Sequence, residues 1–197
     1  MRHNKGKRLV HGAGINDANY QVKVRVETQQ GKEKIVICPY YQTWKNMLMR
    51  VYSSSFQTHH QSYTGVKVCE EWLTFSNFKK WMKKQDWEGK SLDKDLLGNG
   101  KFYSPESCCF LEPRINTFLV DGGSGILPHG VTFHKGKNKY MAQCNVSRNR
   151  KPKYLGYYDD ANLAHLAWKS CKNNLAQKYA EEVDDPRIKE ALRTRYL

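Results

Sequence analysis

The chain has 197 residues, enough for one large domain or two small ones, and its 33 Lys and Arg outweigh 19 Asp and Glu for a formal net charge of +14. That balance points to a polyanionic partner, and no stretch reaches the roughly 20 apolar residues of a membrane span. The opening Met-Arg-His-Asn-Lys lacks the apolar run of a signal peptide, so an intracellular nucleic-acid-binding protein is expected rather than a membrane protein. The six cysteines, Cys38, Cys69, Cys108, Cys109, Cys144 and Cys171, contain no CxxC pair, so a zinc ribbon or finger is not expected and reduced, mostly buried thiols are.

Residues 1–19 are polar, with Lys5, Lys7 and Arg8 clustered. They read either as a basic arm for phosphates or as a loose terminus. Tyr20, Val22, Val24 and Val26 alternate with polar residues, a turn follows at 29–32, and Ile35–Cys38 returns, which predicts a β-hairpin. Pro39 suits a helix start, and Trp44, Met47, Leu48 and Val51 at helical spacing predict its buried stripe. A polar loop at 53–60 and a short strand at 66–69 come next. A second helix, capped at Thr74 or Ser76, is predicted to turn Phe75, Phe78, Trp81 and Met82 inward and Lys79, Lys80, Lys83 and Lys84 outward. The lysines read as a solvated face or as phosphate contacts.

The stretch SLDKDLLGNGKFYSPESCCFLEPRINTF, residues 91–118, organises the rest. A Gly-Asn-Gly turn separates an apolar-acidic run from Phe102-Tyr103, a Ser-Pro turn precedes the apolar run Cys108–Leu111, and Pro113 suits a first helical turn. Strand, turn, strand, helix is the expected order. This stretch resembles the ββα-metal core of HNH endonucleases, especially the phage type in which Tyr-Ser-Pro-Glu announces the second strand. The segments CPYYQTWKNMLMR and VCEEWLTFSNF extend the likeness upstream, so it covers about residues 38–118.

The resemblance implies one divalent ion, Mg²⁺ or Mn²⁺, with Asp93 as ligand on the first strand and Asn116 as ligand on the helix. Ser107 stands where the family has a loop-tying Asn, and Lys94 where it has the general-base His. A lysine has an ordinary pKa of about 10 and is protonated at neutral pH, so Lys94 reads as a phosphate clamp. Metal-bound hydroxide, Asp95, His59 or His60 are the alternatives for the proton. Asp93 and Asn116 also have plain readings, as a strand-end acid and a helix-surface amide.

After the Gly/Pro-rich stretch 121–128 the composition shifts. Residues 122–180 hold ten Lys and Arg against Asp159 and Asp160, a net +8 of the chain's +14. Strands are expected at 131–135, 139–146 and 153–158, then a helix capped by Asp159 or Asp160 with a stripe of Leu163, Leu166, Ala167, Cys171 and Leu175. Three strands and an Ala-rich helix resemble the Apetala/ethylene-response-factor DNA-binding domain, whose sheet enters the major groove. The corresponding positions here are Thr132, His134, Tyr140, Gln143, Asn145, Lys153 and Tyr154. Independently of that likeness, a sheet face fits the major groove, Gln and Asn read adenine, and flanking cations bind phosphates. The expected DNA contacts are Lys135, Lys137, Lys139, Tyr140, Gln143, Asn145, Arg148, Arg150, Lys151, Lys153 and Tyr154.

The expectation is therefore an α+β protein: an HNH-like region over 1–121 (core about 91–118) with an N-terminal hairpin and helices, a DNA-binding domain of three strands and a helix over 122–180, and a helical tail over 181–197. Its expected partner is double-stranded DNA, and its expected setting is the cytoplasm of a phage-infected bacterium. The activity implied is that of a homing endonuclease. The departures at Lys94 and Ser107 keep open a catalytically inactive relative acting as a DNA-binding repressor or interference factor. An RNA- or ribosome-associated role rests on charge alone.

Overall fold

The structure, a computed structural model, describes residues 9–121, 125–146 and 151–197. The basic arm at Lys5, Lys7 and Arg8, and the expected DNA contacts Arg148 and Arg150, lie outside the described residues. In chain order the elements are β1 (Lys23–Glu27), β2 (Glu33–Ile37), α1 (Pro39–Tyr52), α2 (Ser54–His59), β3 (Lys67–Val68), α3 (Phe75–Met82), β4 (Ser91–Asp93), β5 (Phe102–Tyr103), β6 (Cys109–Leu111), α4 (Pro113–Leu119), β7 (Val131–His134), β8 (Lys139–Cys144), β9 (Lys153–Tyr158), α5 (Ala161–Glu181) and α6 (Pro186–Thr194). This is an α+β chain with small sheets. Among the described residues no helix is long and apolar enough to cross a membrane.

Two compact units share the chain. The first runs to Glu88 and includes Gly98–Phe110; the second comprises Gly89–Leu97 and Leu111–Leu197. The expected domain edge after Asp121 is thus not a unit edge, because α4 and the residues after it pack with the C-terminal helices.

In the first unit, the predicted stripe of α1 is buried: Trp44, Met47 and Leu48 are fully enclosed, with Val51 and Tyr41 beside them. Pro39 sits in the first turn of α1, where its missing N–H costs nothing. Trp44 donates its indole N–H to the carbonyl of Trp72 at 2.6 Å, so a polar atom in the densest part of this core is satisfied. From α3, Phe75, Phe78 and Met82 are buried. Lys79 and Lys80 lie on α3, while Lys83 and Lys84 follow its end; Lys79 is committed to Tyr20, donating to the hydroxyl at 2.9 Å with Nζ 4.2 Å from the ring centre. Strands β1 and β2 form the predicted antiparallel hairpin, with Val24 opposite Val36 and Arg25 opposite Ile35.

In the second unit, β7, β8 and β9 form an antiparallel sheet in sequence order, with α5 packed on it. The side chain of Asp160 caps α5 by accepting from the N–H groups of Asn162 and Leu163. The buried stripe of α5 differs from the predicted one. It is Ala164, Trp168, Lys172, Ala176 and Ala180, while Leu163 and Leu166 are 53% and 57% exposed. Small alanines let the helix lie close to the sheet, which larger leucines would hold off. At its centre Trp168 stacks with the rings of His129 and His165 and packs against the bare Cα of Gly130.

A Cβ on Gly130 would lie 2.0 Å from the Trp168 indole, and the residue has φ of +76°. Gly130→Ala combines a clash with backbone strain, so it is expected to destabilise this unit by about 2–3 kcal/mol. Urea unfolding of the variant beside the wild type checks this.

Lys172 closes the unit. It is 3% exposed, and its ammonium lies 2.9 Å from Asp121 Oδ1, donates to the carbonyl of Phe118, and sits over the Phe118 and Tyr196 rings at 4.1 and 4.9 Å. Tyr196 donates its hydroxyl to both oxygens of Asp121, at 3.0 and 3.3 Å. One buried cation therefore joins α5 to the end of α4 and to the residue that follows α6 by two positions.

Candidate functional site

Asp93 ends β4 and is 6% exposed. Its Oδ1 accepts the backbone N–H of Asp95 at 3.0 Å and of Leu96 at 2.8 Å, which folds the chain into a tight turn and fixes the carboxylate. Burial raises its pKa above the ordinary carboxylate value. The two amide bonds oppose that shift, and the neighbouring Asp95 carboxylate adds to it. Asn116 is half-buried on α4, whose Ile115, Phe118 and Leu119 face the core. The two residues come together: Asp93, Asp95, Leu96, Asn116, Leu119, Val120 and Arg195 line one cavity of about 240 Å³ within the second unit.

Lys94 is buried, and its Nζ donates to Asp95 Oδ1 at 2.7 Å. An ammonium so engaged has no lone pair with which to take a proton from water. Ser107 belongs to the first unit and has a local structural role. Its hydroxyl donates to the carbonyl of Phe102 at 2.7 Å and accepts the backbone N–H of Ser104 at 3.1 Å, pinning the Ser-Pro turn. His59 and His60 also belong to the first unit. His59 Nδ1 is 3.1 Å from the carbonyl of Ser55, and His60 stacks on Phe56.

Among the described residues, no three His, Cys, Asp or Glu side chains form a metal-holding group. What the cavity offers is two carboxylates and one amide, an all-oxygen donor set of the kind hard divalent ions accept. All six cysteines are free thiols, with Cys108, Cys109 and Cys144 buried.

The exposed face of the β7–β9 sheet is the second candidate. Register sorts its residues. Ala142 and Cys144 are fully buried on the side facing α5, and Tyr140 and Phe133 share that side. The outer side carries Thr132, Met141, Gln143, Tyr154 and Tyr157. Tyr140 is therefore separated from Gln143, contrary to the expectation that both contact DNA, because adjacent residues of a strand point to opposite faces. Lys153, opposite Cys144, is likewise on the helix side, although exposed.

A β-bulge between Ala142 and Gln143, with Gly156 at φ +135°, resets the alternation of β9. Tyr154 and Tyr157 thereby share the outer face, with ring centres 5.4 Å apart. Lys137 lies over Tyr157 at 4.2 Å, and His134 meets the same ring edge-on at 5.4 Å. Lys135, Asn145 and Lys151 are exposed next to the ends of β7, β8 and β9, whereas Lys139 is paired with Asp159 at 2.9 Å. A groove of about 750 Å³ flanked by residues 125–131 opens beside Gln143 and Asn145.

Sequence reasoning missed Tyr157 and Arg195. Gly156, inside a strand between Tyr154-Leu155 and Tyr157-Tyr158, signals the bulge that brings Tyr157 out. For Arg195 the signal is weaker: apolar Leu192 and Tyr196 bracket it at helical spacing.

Comparison of the chain with protein-family models, with curated proteins and with solved structures gave no match.

Proposed function

We propose that this chain is a DNA-binding, HNH-like endonuclease of the homing type, which hydrolyses a phosphodiester bond of double-stranded DNA with the help of Mg²⁺ or Mn²⁺. The observation that carries the proposal is the cavity that gathers Asp93 and Asn116, two residues 23 positions apart, with Asp95 and Arg195 beside them.

Asp93, with both amide bonds on Oδ1, has Oδ2 as the oxygen for a cation, and the side-chain oxygen of Asn116 is the second donor. The ion, when bound, would supply Lewis-acid stabilisation of the leaving oxygen and of the charge that builds on the non-bridging oxygens. Asp95 is more than half exposed and is the carboxylate positioned to take a proton from an attacking water, while Lys94 holds its Oδ1. The outer face of β7–β9 is the DNA-docking surface. Gln143 and Asn145 are the candidates for adenine edges, Tyr154 and Tyr157 supply flat contact area, and Lys135, Lys137 and Lys151 meet phosphates.

A specific observation favours a second reading, a catalytically inactive relative that represses or interferes by binding DNA. Lys94 and Arg195 place two cations next to Asp93 and Asp95, so the charges there balance without a metal ion. Cleavage of supercoiled DNA separates the two readings.

Both readings need DNA binding. A titration of duplex DNA across a range of salt is expected to give a steep fall in affinity with salt. In Lys137→Ala the slope is expected to be smaller by about one counterion, with affinity lowered evenly across sequences. A salt-independent affinity, or a Lys137→Ala slope equal to that of the wild type, contradicts this surface.

A further inference from the structure

The cavity at Asp93 has a wall that comes from the far end of the chain. Arg195 follows directly on α6, and the residues around it are pinned. Leu192 is fully buried, and Tyr196 is 6% exposed with its hydroxyl on Asp121 and its ring edge-on to Phe118 and Trp168. Between these anchors the Arg195 side chain is exposed and reaches the cavity.

Its partners set it apart from other arginines of the chain. Arg25, Arg114, Arg187 and Arg193 each pair with a carboxylate, at 3.3, 2.6, 2.9 and 2.6 Å respectively. Arg195 lies beside two carboxylates, yet among the described residues it makes no ion pair. Its Nη1 reaches only the backbone carbonyl of Asp95, at 3.5 Å, and it also meets the Tyr196 hydroxyl. A guanidinium has five N–H donors in a planar fork that matches two oxygens of a phosphate. Most of that capacity is uncommitted here, at the mouth of a cavity lined by oxygen donors, on a chain with a strong excess of positive charge.

We propose that Arg195 binds the phosphate of a nucleic-acid phosphodiester at the mouth of the Asp93–Asn116 cavity, and that α6 and the Tyr196 anchor serve to carry it there. This rests on the nuclease reading of the cavity only for its catalytic consequence. Phosphate binding itself stands apart from cleavage. Holding the two non-bridging oxygens, Arg195 orients the phosphorus and offsets charge that rises as the new P–O bond forms.

The test uses the full chain and thymidylyl-(3′→5′)-thymidine as the phosphodiester probe, without metal. In ¹H–¹⁵N spectra the dinucleotide at millimolar concentration is expected to shift the Arg195 Nε–Hε and Asn116 side-chain signals. Arg195→Ala is expected to weaken binding about ten-fold, Arg195→Lys less, and Arg193→Ala, from the last turn of α6, not at all. With Mg²⁺ and supercoiled DNA, Arg195→Ala is expected to lower the nicking rate about 10²-fold, with Mn²⁺ affinity within two-fold of the wild type.

Probe binding that depends on Arg195 in a protein that never nicks upholds this proposal and removes the nuclease reading. Nicking and probe binding that are both unchanged in Arg195→Ala overturn the proposal and leave the nuclease reading standing. Mn²⁺ affinity that rises in Arg195→Ala, with probe binding unchanged, also overturns it, since Arg195 then only neutralises the carboxylates.

Discussion

Lys172→Ala is expected to destabilise the second unit by about 3–5 kcal/mol, the cost of removing one partner of a buried ion pair. The substitution takes the cation from Asp121, from the carbonyl of Phe118 and from the faces of two aromatic rings at once. It also leaves a void beneath Tyr196. Lys172→Met keeps most of the aliphatic volume and is expected to cost about half as much. Urea unfolding followed by tryptophan fluorescence measures both, since Trp168 lies 5.7 Å from the ammonium. A loss below about 1 kcal/mol in Lys172→Ala contradicts this account of the unit. The variant is also expected to loosen the end of α4 and the segment after α6, the two sources of Asn116 and Arg195.

Asp93→Ala is expected to lower metal-dependent nicking by about 10³-fold or more, the equivalent of about 4 kcal/mol of transition-state stabilisation. If DNA docks on the β7–β9 face as proposed, DNA affinity is expected to stay within about three-fold. Asp93→Asn separates the structural from the chemical duty of this residue, because its amide oxygen still accepts the N–H groups of Asp95 and Leu96. The pKa of Asp93 is raised by burial in the folded protein. The folded state thus holds the proton more tightly than the unfolded chain, and stability is lost as pH rises from the ordinary carboxylate pKa through the raised one. Above that window the ionised carboxylate is a cost, so Asp93→Asn is expected to melt higher than the wild type there while nicking as poorly as Asp93→Ala. Added Mg²⁺ is expected to raise the melting temperature of the wild type and not of Asp93→Asn. A melting temperature that falls in Asp93→Asn contradicts the buried, charge-strained carboxylate.

Much of the local structure was legible because it is written in short-range pattern. Alternation marks β1, β2 and β7–β9, and Pro39 and Pro113 mark the starts of α1 and α4. The stripe of α1 follows from four apolar residues at helical spacing, which leave a single face to bury. In α5 the same logic chose Leu163 and Leu166, yet the helix buries alanines, a tryptophan and a lysine. Periodicity weighs leucine above alanine, whereas close approach to a sheet selects small residues, and a buried lysine is invisible until its Asp121 partner is known. Tyr140 was misplaced for a related reason. Alternation was clear within β8, but which side faces the helix depends on Ala142 and Cys144 meeting α5. The pairing of Asp93 with Asn116 in one cavity followed from a resemblance, not from spacing. Arg195 reaches them through tertiary packing of the segment after α6, of which the spacing of Leu192 and Tyr196 is only a faint local trace.

The most direct measurement is nicking of supercoiled DNA by the wild-type protein in Mg²⁺ and Mn²⁺, beside Asp93→Ala and an EDTA control. The nuclease reading predicts relaxed or linear product that disappears in both controls, while salt-sensitive DNA binding survives in Asp93→Ala. Intact plasmid under every metal condition, with DNA binding retained, contradicts it and leaves a DNA-binding regulator built on a nuclease-like frame.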